Sequence, residues 1–464
     1  MAAIGAAAVD TPGRSREADA ARERPNRHGA EEVQALKARD NLTNWLYLAR
    51  IYLVIAVAIT AGVWVIEAAR AGEISWWVAV PATLLAIAAI GASQHQFGGV
   101  IHEGTHYMLF ANRTLNELAS DWLAALPILT TTYHYRLHHL AHHQFVNDPL
   151  RDPDISQLHE SDHWLDFPIT HVEVLWKVLK QLWLPNLFRY TVTRAKYGSL
   201  GTGTHNPYAD PEHPGSIRPV RAGILFAVGA PLIVIPLTVM GYGLAVAIIL
   251  PVMWLAVVTI LWNLPDEAYP RTRLSPVFPI RLLGISRVSY LFLLYGALSA
   301  VQLAGWGPAW AYFGILWLVP VFTTFPLFMI LRQWVQHGNA DRGRYTNTRV
   351  FLVGPLVRYA VFPFGMDYHL PHHLMAPVPH YNLKQLHEIM LRDPEYREKG
   401  VIVEGYFGDE DNAMGRPTAL GVLGAAHAPK TQEEAYVDNS AIEYADVRDA
   451  AGIAREVEES LRRS

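Results

Sequence analysis

The chain has 464 residues, 51% of them hydrophobic and only 17% charged, with 14 tryptophans, a mean hydropathy of +0.12 and a formal net charge of −4. That balance, well below the usual quarter of charged residues, points to a membrane protein and offers no electrostatic footprint for nucleic acid. It contains no cysteine, so disulfides, zinc knuckles, iron–sulfur clusters and thiolate nucleophiles are excluded, and any metal must be held by histidine, carboxylate or amide side chains.

Residues 1–44 begin as a polar Ala/Arg/Glu-rich stretch with Arg14, Arg16, Arg22, Arg24 and Arg27 and no apolar core behind it. It reads as a disordered, water-exposed arm and not as a signal peptide. The first hydrophobic run is Leu46 to Ile66, and after the turn Glu67 to Glu73 an uncharged stretch runs from Ile74 to Ile101. The second stretch exceeds the roughly 20 residues that cross a bilayer, so its last turns, with His102, are expected to protrude. Two further uncharged stretches, Ala222 to Pro265 and Val288 to Leu331, are each long enough for two spans joined by a tight turn, at Gly241-Tyr242-Gly243 and at Gly305-Trp306-Gly307-Pro308. The fold class expected is all-α: a polytopic membrane protein of six transmembrane helices in three hairpins, with a helical cap.

Basic residues test that layout. The three hairpin turns contain Arg70 alone, whereas the opposite side carries Arg136, Lys177, Lys180, Arg218, Arg221, Arg271, Arg273, Arg281, Arg287 and Arg332. By the positive-inside rule both termini and the long loops are cytosolic, as in a bacterial inner-membrane protein. Trp176, Leu179 and Trp183 share a helical face between Thr170 and Pro185, flanked by Lys177 and Lys180; this segment is either an interfacial helix or a surface helix on the cap. Residues 45–395 form the membrane domain with its cap, and 396–464 an acidic, Ala-rich, mobile cytosolic tail.

The 21 histidines are the unusual feature, seven of them between His102 and His143. His102-Glu-Gly-Thr-His106 matches the helix-borne H-E-x-x-H of zinc proteases, and more loosely it is two imidazoles one turn apart on one helical face. His139-Leu-Ala-His142-His143 presents three imidazoles on one face, with His138 and His134 as weaker neighbours. In His369-Leu-Pro-His372-His373, Pro371 is tolerated only in a first turn, so His369 should start a helix and His372 and His373 lie just inside it. His337 closely follows the last span. His95, two turns before His102, shares that face and is an outlying candidate. The candidate metal ligands are therefore His102, His106, His139, His142, His143, His337, His369, His372 and His373. Nine imidazoles exceed the four positions of one zinc; divided between two ions they give four or five each. Imidazole suits iron, zinc and copper alike.

These residues resemble the membrane fatty acid desaturase and hydroxylase superfamily, with its three histidine boxes H-x(3,4)-H, H-x(2,3)-H-H and H-x-x-H-H. The likeness extends beyond the boxes, through H-H-L-A-H-H-Q-F-V-N-D-P-L-R-D-P-D and M-D-Y-H-L-P-H-H-L-M-A-P-V-P-H-Y-N-L-K-Q-L-H, and His337 stands where the family has an extra histidine after the last span. The resemblance covers roughly residues 45 to 395. It implies two non-haem iron ions that use O2 and two electrons to oxidise an unactivated C–H bond of a lipid acyl chain. Six spans, where many acyl desaturases have four, and Asp367, where an Asn-rich approach to the third box is common, depart from the pattern.

Alkene formation and hydroxylation use the same ligands, so a hydroxylase or ketolase acting on an alkane, lipid or carotenoid stands beside the acyl-lipid desaturase. A zinc protease using Glu103 as base leaves seven clustered histidines unexplained, and a metal transporter should carry its ligands within the spans. Asp154, ahead of Asp148 and Asp152, is expected to orient a ligand imidazole. His213-Pro214-Gly215 resembles the haem motif of fused cytochrome b5 domains, but Ser216 follows and a span begins at Ala222, so it is a loop. The resemblance then implies a separate electron donor, ferredoxin-like or cytochrome-b5-like, with its reductase.

Overall fold

Among the described residues, six helices are long and apolar enough to cross a membrane: Thr43–Arg70, Trp76–Thr105, Arg218–Val239, Gly243–Asn263, Ile280–Leu303 and Ala309–His337. The structure is a computed structural model and describes residues 27–199, 206–408 and 414–429, with positions 435–436, 447, 452–453, 455 and 458. The chain is thus an all-α polytopic membrane protein, as its hydropathy indicates. The first 26 residues of the expected arm, and much of the expected tail, lie outside the described residues.

All three hairpins turn in the same way. Gly72, Gly241 and Gly305 each stand two residues past a helix end with φ of +78°, +79° and +77°, a conformation that costs a side-chain-bearing residue energy. The residue after each glycine donates its N–H back to the helix: Glu73 to Ala68 O, Tyr242 to Leu237 O and Trp306 to Val301 O. Carbonyls that would otherwise be orphaned near the bilayer surface are satisfied in this way.

The first span packs along the second, and the C-terminal half of the sixth packs against the second as well. The third, fourth and fifth spans form a second core, with Phe226, Val234, Leu250, Leu291 and Tyr295 buried within it and Trp310 at the start of the sixth span packed into it. The sixth span is interrupted: a π-helical turn covers Gly314–Leu318, and Thr323 leaves helical geometry (φ −130°, ψ −81°) between Pro320 and Pro326. Prolines remove backbone donors and bend a helix in this manner.

The cap is made of short helices, chiefly Thr132–Gln144, Pro153–Glu160, Leu184–Gly198, His369–Leu374 and Leu383–Met390. A two-stranded parallel ladder, Arg349–Leu352 with Val401–Glu404, ties it together.

Three sequence expectations need correction. The arm is helical over Arg27–Leu36, and Leu36 is buried with Leu383 and Leu386. The tail does not begin at 396: Val403, Tyr406, Val422 and Leu423 are buried in the cap core beside Trp334 and Val335, and Asn339 donates to Val422 O and Gly424 O. Scattered apolar anchors in a Gly/Pro-rich stretch give no periodic signal, so their burial is not legible in advance. Finally, Pro185 opens a helix instead of ending one. His171–Lys180 stops, and Leu184–Gly198 starts with Pro185 in its first turn, the position where its missing N–H is harmless. Trp176 and Trp183, 62% and 69% exposed, therefore stand on successive elements, yet both face outward.

Candidate metal centre

The nine histidines converge from four separate stretches of chain into two groups. His102, His106, His139, His143 and His372 form one, and His142, His337, His369 and His373 the other; within each, one nitrogen per ring lies within 4.8 Å of all the others. His102 occupies the last turn of the second span, which ends at Thr105, and His106 caps it with φ −90° and ψ 3°. His369 starts the helix His369–Leu374 with Pro371 in its first turn, as the proline requires. His337 is the last residue of the sixth span. The second and third boxes are each split: His139 and His143 face the first group while their neighbour His142 faces the second, and His372 and His373 divide likewise. Adjacent positions on a helix are about 100° apart, so one H-x-x-H-H helix serves two centres. The groups abut, with the His143 and His373 rings stacked at 4.3 Å.

The nitrogens fit a metal better than one another. His139 Nε2 is 2.9 Å from His106 Nε2, His143 Nε2 3.0 Å from His139 Nε2 and His372 Nε2 3.1 Å from His143 Nε2. In the other group the separations are 3.2 Å (His142–His337), 3.0 Å (His337–His369) and 3.2 Å (His373–His369). Ligand nitrogens at right angles around an ion, about 2.1 Å from it, stand roughly 3.0 Å apart. Hydrogen bonds cannot account for a mutual cluster, because each neutral imidazole has a single N–H. Both nitrogens of His102 and the Nδ1 atoms of His369, His372 and His373 are buried without a hydrogen-bond partner. The donor set, all imidazole with no thiolate, is one that iron, zinc or copper accepts.

Protonation favours ligation. Burial, and then the crowding of neighbouring imidazoles, holds His139, His143, His369, His372 and His373 well below the ordinary imidazole range. They are neutral, the form that binds metal. For His142 burial also pulls downward, but the Asp152 carboxylate, with Asp154 behind it, leaves it above its ordinary value.

Asp152, and not Asp154, holds the His142 ring: both its oxygens lie 3.0 Å from His142 Nδ1, and they also accept from the backbone N–H of Asn147 and Asp154. Asp154 instead holds His138 Nε2 at 2.7 Å and reaches His142 only at 3.9 Å. Asp148 pairs with Arg342 at 3.2 Å. His337 Nδ1 is fixed by Asn347 O at 3.0 Å. His95, with Nδ1 2.7 Å from Ala360 O, and His134, against Thr131 Oγ1, stand outside both groups. Glu103 is buried, accepting from His380 N at 2.9 Å and lying 3.5 Å from His102 Nδ1. It braces the histidine-bearing end of the second span and lines neither of the two cavities described below. His213 sits in an exposed loop against Asp210.

Two arginines that the sequence marks only as positive charges, or not at all, hold the ends of the ligand-bearing spans. Arg136 donates to Thr105 O and Gly104 O at the end of the second span and pairs with buried Glu117. Arg349 donates to Val335 O, Gln336 O, Gly338 O and Asn339 O around the end of the sixth. Cations at helix C-termini meet both the orphaned carbonyls and the helix dipole.

Two cavities lie at this end of the spans, and the smaller is lined by clustered histidines. A chamber of about 40 Å³ is lined by His142, His337, His369, Asp152 and Asp154. A larger, mainly apolar cavity of about 240 Å³ runs between the second span, helix Leu184–Gly198 and the sixth span, past Ile101, Val192, Phe322 and Met329. Tyr135 and Arg332 line both.

A family model described as "Fatty acid desaturase" matches residues 74–291 and 271–404 of this chain. A curated relative, the dihydrorhizobitoxine desaturase of Bradyrhizobium elkanii, is 33% identical over 117 residues, 25% of this chain. The match spans about 30% of that relative's length.

Proposed function

The chain belongs to the fatty acid desaturase family, and from that premise we propose that it is a membrane-bound, O2-dependent fatty acid (acyl-lipid) desaturase whose nine histidines hold two non-haem irons. The observation that carries this reading is the pairing of two back-to-back histidine groups with an apolar cavity at the level of the spans, which shares Tyr135 and Arg332 with the chamber lined by His142, His337 and His369. When bound, the two irons would activate O2, the oxidant in R–CH2–CH2–R + O2 + 2 electrons + 2 protons to give R–CH=CH–R + 2 H2O.

The chain's own residues do the rest. Asp152 and Asn347 O orient His142 and His337 through the nitrogen turned away from the group, which fixes the tautomer each ligand presents. Arg136 and Arg349 keep the span ends from fraying, so the ligands stay in place. The apolar walls accept an acyl chain and exclude water, and the small chamber admits little more than a water-sized molecule. Electrons come from a separate ferredoxin-like or cytochrome-b5-like protein with its reductase, docking on the cap. The positive-inside distribution puts that cap and both termini in the cytosol.

Metal analysis of the purified protein tests the reading. About two irons per chain are expected, falling in His142→Ala and in His372→Ala, one ligand from each group. One zinc per chain, or iron retained in both variants, sinks it. Mass spectrometry of the product separates desaturation, two hydrogens lighter, from the hydroxylation of an alkane, lipid or carotenoid, one oxygen heavier.

A further inference from the structure

Arg332 is 7% exposed and stands where the large apolar cavity meets the small histidine-lined chamber. Among the described residues its guanidinium makes a single hydrogen bond, to the thioether sulfur of Met366, a weak acceptor. Its Nε is buried without a partner, and among the described residues no carboxylate oxygen lies within ion-pairing distance.

The other buried arginines near the site have more oxygen partners, although the Nε of Arg349 is likewise buried without one. Arg136 has Glu117 and two carbonyls, and Arg349 has four carbonyls. Arg194, which lines the same cavity, has Gln157 Oε1 at 2.9 Å and Asp154 at 3.8 Å. The nearby acid, Asp154, is already engaged by His138. A charge removed from water without a counter-charge is strongly disfavoured. A buried, unpaired guanidinium facing a cavity is therefore a seat for an anion, and its planar fork matches a carboxylate.

We propose that Arg332 binds the free carboxylate of the substrate, whose apolar chain occupies the 240 Å³ cavity. This rests on the desaturase reading and narrows it, from an esterified acyl lipid to an amphipathic acid. The chain lies between Ile101, Phe322 and Met329 and extends toward Val192 and Leu129, which are 43% and 40% exposed. Its carboxyl end rests at Arg332, beside the chamber of His142, His337 and His369. The bond oxidised is accordingly on the carboxyl side of the chain, not near its methyl end.

Binding to the full-length protein in phosphatidylcholine nanodiscs, corrected for empty discs, tests this without turnover. Radiolabelled octanoate should bind at least about tenfold more tightly than methyl octanoate, an energy difference of about 1.4 kcal/mol. Arg332→Gln should abolish the preference while leaving methyl octanoate binding unchanged, and Arg332→Lys should keep much of it. A second measurement needs no variant: octanoate, but not methyl octanoate, should protect Arg332 from modification by phenylglyoxal, mapped by peptide mass spectrometry. Equal binding of acid and ester, a preference surviving Arg332→Gln, or absence of protection overturns the proposal. None of these readouts depends on iron content, so their failure is distinct from failure of the di-iron reading.

Discussion

Spans one, two and six on one side and spans three, four and five on the other are built from similarly apolar sequence, with mean hydropathies of 2.2, 1.7 and 2.1 against 2.3, 2.8 and 1.4. Their glycines tell them apart. A Cβ added at Gly91 in the second span would meet Thr324 Oγ1 at 2.0 Å, at Gly99 it would meet Phe364 Cβ at 2.8 Å, and at Gly104 it would meet Ser120 Oγ at 2.4 Å. In the other half, Gly223 has nothing within 4 Å, while Gly229, Gly284 and Gly296 meet a leucine methyl at 3.9 Å. Apolarity is enough to make a span, but only close backbone approach fixes where the residue at its end will land. The half that ends in histidines has that close approach, and the other half, which contributes no histidine to either group, does without it.

Substitution should break this contrast at its strongest point first. Gly91→Ala forces Thr324, whose Oγ1 donates to Ile87 O, and the Phe325 backbone at 2.9 Å to move. A loss of about 1–3 kcal/mol from overpacking is expected, with lower iron occupancy. Gly296→Ala should be neutral or gain up to about 1 kcal/mol of helix propensity. Thermal unfolding in detergent measures both, and equal effects at the two positions would erase the distinction.

Next comes the carboxylate pair. Asp152→Asn should weaken iron retention about 10- to 100-fold against a competing chelator, whereas Asp154→Asn, two residues further along, should cost much less. A reversed order would mean that the 3.0 Å contact to His142 does not orient the ligand. The smallest effect is expected at Glu103→Gln. The amide oxygen can still accept from His380 N, so activity should fall by less than about tenfold, within the worth of one neutral-for-charged hydrogen bond. Inactivation would restore Glu103 as a catalytic base.

Much of this architecture is legible in the sequence because two periodicities carry it. Long uncharged runs mark the spans, and histidines at i, i+3 and i+4 mark faces that must converge. His337 is legible by its place after the last span, and the start of the third-box helix by Pro371. Asp152 is not, because the turn through Asn147, with φ +59°, decides which of three nearby aspartates reaches His142. Arg349 and Arg332 are opaque for another reason: a basic residue beside a span reads as a topological marker, and its burial emerges only when distant segments close over it. The division of nine ligands into five and four is equally a tertiary result, since neighbouring histidines of one box part company.

That division has a consequence for the ions themselves. Seats with five and four imidazoles, the four-membered one with Asp152 behind His142, are inequivalent by construction. Ions placed in them would differ in spectroscopic signature and in the rate at which a chelator removes them.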